Sequence, residues 1–144
     1  MNHDALFYTC SLIECITRTT HQTHRAIIGM LGADVDRIYR YHDVFHCEPI
    51  EKVADDFIQR CQIADGTTDY VATSRYAVPD CWDIGEVFQR LVEDCFEPER
   101  YIDGIKEIFC SWIAAKISNY NSDLYYQPRD YLAECYKAGE LLVA

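Results

Sequence analysis

Between Ile50 and Cys61 the apolar side chains Ile50, Val53, Ala54, Phe57, Ile58 and Cys61 fall three and four positions apart, with acids among them. A helix of 3.6 residues per turn gathers such positions on one face, whereas a strand scatters them over both. The same period recurs along the chain. Leu6, Cys10, Ile13, Ile16 and Thr17 mark a helix over residues 4–19, and Ile27, Ile28 and Leu31 a shorter one over 21–31 that ends at Gly32. Asp34 reads as the N-cap of a third helix through Val35, Ile38, Tyr39 and His42, and Pro49 suits the first turn of the fourth.

From residue 63 the period stops. The run ADGTTDYVATSRYAVP is rich in Asp, Thr and Ser and reads as a polar linker over 63–79, with a short extended stretch at 70–72. Helical spacing resumes with Ile84, Val87, Phe88, Leu91, Val92 and Cys95, capped by Asp80 or Asp83 and stopped before Pro98. One long helix is expected over 99–119, carrying Ile102, Ile105, Ile108, Phe109, Trp112, Ile113 and Ile117, and a last one runs from Pro128 to about Gly139. The expected fold is therefore all-α, a compact bundle of about seven helices. It forms one domain with two helical subunits, a four-helix unit to residue 62 and a three-helix unit over 80–144. Each is so small that a shared core is expected.

Charge narrows the function classes. The net charge is −11, with nine acids against six bases over 1–62 and fifteen against seven over 63–144. Such a surface repels a phosphate backbone, and no basic patch overrides it, so direct nucleic-acid binding is not expected. No apolar run approaches the ~20 residues of a membrane span, and MNHDALFYTC lacks the basic start of a signal peptide. The eight cysteines are spread without a CxxC pair, mostly in apolar helical stretches, and read as reduced, mostly buried thiols of a cytoplasmic protein.

Chemistry-bearing constellations are few. His42 and His46, four apart, with His21 and His24 upstream, would serve a metal-dependent enzyme if helices brought them together with acids. No HExxH or ExxH companion accompanies them. Cys47 beside His46 is the one adjacent nucleophile–base pair, but catalytic partners usually meet through the fold. No cofactor is implied. The most distinctive feature is aromatic: Tyr120, Tyr125, Tyr126, Tyr131 and Tyr136 crowd a short stretch that also carries Arg129. Tyrosine and arginine are enriched where proteins bind proteins, although rings of this kind also dock terminal helices onto cores.

The runs LFYTCSLIECI and HRAIIGMLGADVDRIYRYHDVFHCEPIEKVADDFI resemble a family of short bacterial helical domains of unknown function. Phe7, Ile13, Glu14, Cys15, Ile38, Tyr39, His46, Val53, Asp56 and Ile58 carry the resemblance, which covers residues 5–60. Domains of this kind are often encoded beside toxin-like genes, so the resemblance implies an accessory or antitoxin-like role. The reading adopted from the sequence is a non-enzymatic, acidic module that binds another protein, a basic one by charge, through Tyr120, Tyr125, Tyr126, Arg129 and Tyr131. It includes closure of an exposed patch by a homodimer. The alternatives are a metal-dependent enzyme using His42 and His46, and an acidic mimic of nucleic acid.

Overall fold

The computed structural model describes residues 3–143. These residues are all-helical, with nine α-helices, two 3₁₀ turns and no strand. The helices are α1 (His3–Thr20), α2 (His24–Leu31), α3 (Asp34–Arg40), α4 (His42–Phe45), α5 (Ile50–Arg60), α6 (Cys81–Cys95), α7 (Tyr101–Phe109), α8 (Trp112–Ile117) and α9 (Arg129–Ala138). The 3₁₀ turns are Pro98–Arg100 and Leu124–Tyr126. None of the helices is long and apolar enough to cross a membrane.

Helix α1 is the hub. The apolar spacing implies one buried face, yet thirteen of its 18 residues are buried. Its composition permits this: the hydroxyls of Thr9, Ser11, Thr17 and Thr20 each donate to the carbonyl one turn back, so these residues enter the interior with their polarity satisfied. Helix α6 lies along α1, while α2, α3, α4 and α5 cover its other sides. Helices α7 and α9 pack in turn on α6. The apolar interior is one continuous cluster containing Leu12, Ile16, Ile38 and Phe57 from the first half and Ile84, Phe88, Ile105 and Ile113 from the second.

Gly85 sets how closely α1 and α6 approach. A Cβ there would lie 1.9 Å from Ser11 Oγ and 2.7 Å from Ser11 Cα. At the start of α6 the Asp80 side chain accepts from Asp83 N, and the Asp83 side chain accepts from Asp80 N, a reciprocal capping box. Asp80→Ala is expected to cost about 1 kcal/mol of stability, read from urea denaturation.

Four expectations need correction. The expected long helix over 99–119 is broken into a 3₁₀ turn, α7 and α8. The Arg25 guanidinium donates to the Cys110 carbonyl at 3.1 and 3.3 Å, and Ala114 N turns to Ser111 O instead of Cys110 O. A side chain inserted into the ladder ends the helix there. Asp34 is not a cap: it follows the N-cap Ala33, and its carboxylate accepts from Arg60 Nε and Cys61 Sγ, tying α3 to the end of α5. The helix expected to run on to His42 ends at Arg40, and α4 follows separately. Residues 70–72 form a turn, because Asp69 Oδ1 accepts from Ala72 N.

The polar segment between α5 and α6 is tied down rather than free. Gly66 N donates to Thr20 O and Thr68 N to His21 O, while Gln22 Nε2 donates to Ala64 O. Of the thiols, Cys10, Cys15 and Cys135 are buried, Cys61, Cys81, Cys95 and Cys110 half-buried, and Cys47 exposed. Full burial is thus less common among them than the apolar surroundings suggest.

Candidate functional site

The tyrosine-rich stretch follows α8, winds through the 3₁₀ turn Leu124–Tyr126 and enters α9 behind Pro128. Its members have different surroundings. Tyr120 is 2 % exposed and its hydroxyl donates to Glu14 Oε1 at 2.7 Å. Tyr125 is half-buried, meeting Tyr120 edge-on at 5.9 Å and Tyr126 at 4.9 Å. Tyr126 is 66 % exposed. Tyr131 is half-buried and donates to Leu142 O at 2.7 Å. Arg129 makes a two-pronged pair with Asp94, both bonds 2.9 Å, and reaches Glu93 at 3.2 Å. Tyr120 therefore anchors the stretch from inside and Arg129 pins it to α6, leaving Tyr125 and Tyr126 at the surface.

The fold adds a residue to this face that the sequence reading missed. Tyr76, from the polar segment, is 66 % exposed and lines a shallow groove together with Tyr120, Asp123, Tyr125 and Tyr126. Two hydrogen bonds hold its segment in place: Arg75 N donates to Asn121 Oδ1, and Asn121 Nδ2 donates to Thr73 O. A second groove, on the other side of Tyr125 and Tyr126, is walled by Pro79, Asp83, Glu86 and Arg90. Glu86 and Arg90 are ion-paired, as is Arg129, while Asp83 and Asp123 form no ion pair among the described residues. The face keeps negative charge. Nothing in the sequence sets Tyr76 apart from Tyr70 in the same polar segment.

Beneath it lies a buried polar cluster. Glu14, on α1, is 1 % exposed and accepts at Oε2 from His24 Nε2 (2.8 Å) and at Oε1 from Ser118 Oγ (3.0 Å) and Tyr120. Arg18, one turn along α1, donates to Tyr120 Oη at 2.6 Å and to Pro79 O at 2.9 Å. The rings of Tyr70, Phe88 and Phe109 lie 5.6–5.9 Å from the His24 ring. Burial pushes the Glu14 carboxyl upward, but His24, Tyr120 and Arg18 outweigh it and hold the pKa at about 2. Burial and the Glu14 charge push the Tyr120 phenol well above its ordinary range.

Serine, histidine and glutamate meet here, but not as a nucleophile relay. In a relay the serine and the carboxylate occupy opposite ring nitrogens of the histidine. Here Ser118 Oγ lies 3.1 Å from the same Nε2 that binds Glu14, and its own proton goes to Glu14. Ser118 is fully buried, so no substrate reaches it. The cluster is a tie joining α1, α2 and the segment after α8.

No family model, curated protein or solved structure matches this chain.

The histidines considered for a metal are engaged separately. His42 Nδ1 lies 3.2 Å from Tyr39 O, whereas the His46 ring stacks on Trp82 at 5.3 Å and meets Tyr8 at 5.0 Å. Among the described residues no three His, Cys, Asp or Glu side chains are grouped to hold a metal ion. Cys47 Sγ donates to Asp43 O at 3.4 Å.

Proposed function

We propose that this chain is a protein-binding module whose contact face is built from Tyr76, Tyr125 and Tyr126. The observation that carries the proposal is the pairing of Tyr76 and Tyr126, each 66 % exposed, across one groove on segments held by hydrogen bonds and ion pairs. Rigid, exposed tyrosines offer large amphipathic contact area at small entropic cost, which is why such residues dominate binding hot spots. Tyr120 and Arg129, grouped with them on sequence grounds, support the face from behind and from the side, and Tyr131 borders a neighbouring groove with Leu141 and Leu142.

The uncompensated acids Asp83 and Asp123 favour a basic partner. The resemblance of residues 5–60 to domains encoded beside toxin-like genes supports an antitoxin-like role, with a toxin-like protein as that partner.

The test is affinity capture from the native host with the wild-type chain and a Tyr76→Ala/Tyr126→Ala variant in parallel. Both rings are largely outside the core, so the variant should melt within about 2 °C of wild type. A partner retained by the wild type and lost by the variant is the expected outcome. Equal recovery by both would remove the assignment.

A further inference from the structure

Two thiols from distant parts of the chain meet where α6 lies along α1. The two helices run antiparallel. Gln89 Nε2 donates to His3 O at 3.5 Å, a Cβ on Gly85 would lie 2.7 Å from Ser11 Cα, and Arg18 Nη1 donates to Pro79 O at 2.9 Å. One turn beyond Ser11 on α1 stands Cys15, and one turn before Gly85 stands Cys81, the first residue of α6. The register therefore brings both side chains to one level, between the Gly85 contact and the Arg18 contact. There Cys81 Sγ donates a hydrogen bond to Cys15 Sγ. The small Gly85 lets the backbones approach closely beside the pair, as a disulfide requires, with about 4.4–6.8 Å between the linked Cα atoms.

The surroundings of the pair favour a reactive sulfur. The hydrogen bond from Cys81 stabilises the Cys15 thiolate, and Thr19 and the Arg18 guanidinium add to it. Together they outweigh burial and the Glu51 charge, so Cys15 titrates below an ordinary thiol. The Cys81 proton is held more firmly through the same bond. Burial pushes Cys10, Cys95 and Cys110 upward instead. Arg18 Nε is buried and has no acceptor among the described residues, which leaves a spare donor near the pair. Cys15 is 5 % exposed and Cys81 half-buried, so a small reagent reaches the sulfurs from the Cys81 side.

We propose that Cys15 and Cys81 are a redox-active dithiol that hydrogen peroxide closes into a disulfide joining α1 to α6. The Cys15 thiolate attacks one peroxide oxygen. The S–O bond forms, the O–O bond breaks, and hydroxide leaves and takes a proton from solvent to become water. Cys81 then attacks the Cys15 sulfenic sulfur. The S–S bond forms, the S–O bond breaks, and hydroxide leaves with the Cys81 proton as a second water. The two sulfurs give up two electrons and the peroxide accepts them. Because the thiols already touch, closure needs side-chain rotation and no separation of the helices.

The test uses the full chain, reduced and then freed of reductant. It is exposed to hydrogen peroxide, its remaining thiols are alkylated in denaturant, and its peptides are mapped by mass spectrometry without reduction. A Cys15–Cys81 link is expected, forming at least about tenfold faster than oxidation of the exposed Cys47 and reopening with dithiothreitol. In Cys81→Ser the serine hydroxyl still donates towards Cys15, but the reaction should stop at a Cys15 sulfenic acid that dimedone traps. Circular dichroism checks that this variant folds, and if it does not, the wild-type map alone decides. Three results would overturn the proposal: Cys15 and Cys81 remaining open to alkylation while Cys47 oxidises, links that join other cysteines or separate chains, or a folded Cys81→Ser without a dimedone adduct on Cys15.

Discussion

Gly85→Ala is expected to destabilise the protein by about 3 kcal/mol or more, lowering the melting temperature by roughly 10 °C. The same change at Gly29 should be neutral or stabilising by up to about 1 kcal/mol. Both glycines lie inside helices, where alanine is intrinsically favoured. The difference is what the new methyl group meets. At Gly29 there is nothing within 4 Å. At Gly85 the methyl would sit 1.9 Å from Ser11 Oγ, 2.8 Å from Ser11 Cβ and 2.7 Å from Ser11 Cα. The hydroxyl can rotate away, but the Cα and Cβ atoms belong to α1 and can only move with it. Helices α1 and α6 would have to separate where Ile84 and Phe88 are fully buried, opening voids on either side of the clash. Urea denaturation of the two variants beside the wild type gives the comparison, and a Gly85→Ala protein as stable as Gly29→Ala would contradict the packing described.

Glu14→Ala should cost about 3–5 kcal/mol near neutral pH, because it removes one member of a buried charged cluster and leaves the others without their partner. His24, Ser118 and Tyr120 each lose their bond to the carboxylate, and Arg18 loses the negative charge 3.7 Å from its Nη2. The pH dependence carries a sign. The Glu14 pKa is lowered from the ordinary value of 4.5 to about 2, so the stability it supplies is fully present above the unfolded-chain value. That stability is lost as pH falls from about 4.5 towards about 2. The gap between wild type and Glu14→Ala should therefore narrow through that window. A gap independent of pH would mean that the carboxylate charge contributes nothing to the tie.

Sequence and structure agree where the cause is local. The periodic faces of α5, α6 and α9 follow from 3.6-residue spacing, and their ends from neighbouring residues: Asp80 caps α6, and Gly139 adopts φ +78° after α9. Disagreement begins where the cause is distant. The break between α7 and α8 depends on Arg25, 85 positions away, capturing a carbonyl that no nearby residue claims. Asp34 looks like a cap until Arg60 and Cys61 arrive from α5 to bind it.

The same distinction governs the candidate site. The aromatic crowding of residues 120–136 is visible in the chain, but which rings reach the surface is decided by α1. Glu14 draws the Tyr120 hydroxyl inward, and Tyr126 remains outside. Tyr76 joins the face because Asn121 holds its segment against the stretch that follows α8, a tertiary contact with no local signature. Glu14 stood out in the sequence only as one matched position in a resemblance. An acid among Leu12, Ile13, Cys15 and Ile16 is nevertheless the pattern a buried, paired carboxylate leaves, and His24 is the base that answers it.

In the proposed function Tyr76 and Tyr126 bind the partner while the Glu14 cluster only holds the scaffold. The most direct test is the dissociation constant of the captured partner for the wild type and for Tyr76→Ala/Tyr126→Ala, with thermal melts of both. At least a hundredfold weaker binding is expected, about 2.7 kcal/mol or more, with melting temperatures within about 2 °C of each other. Unchanged affinity for an equally stable variant would contradict it.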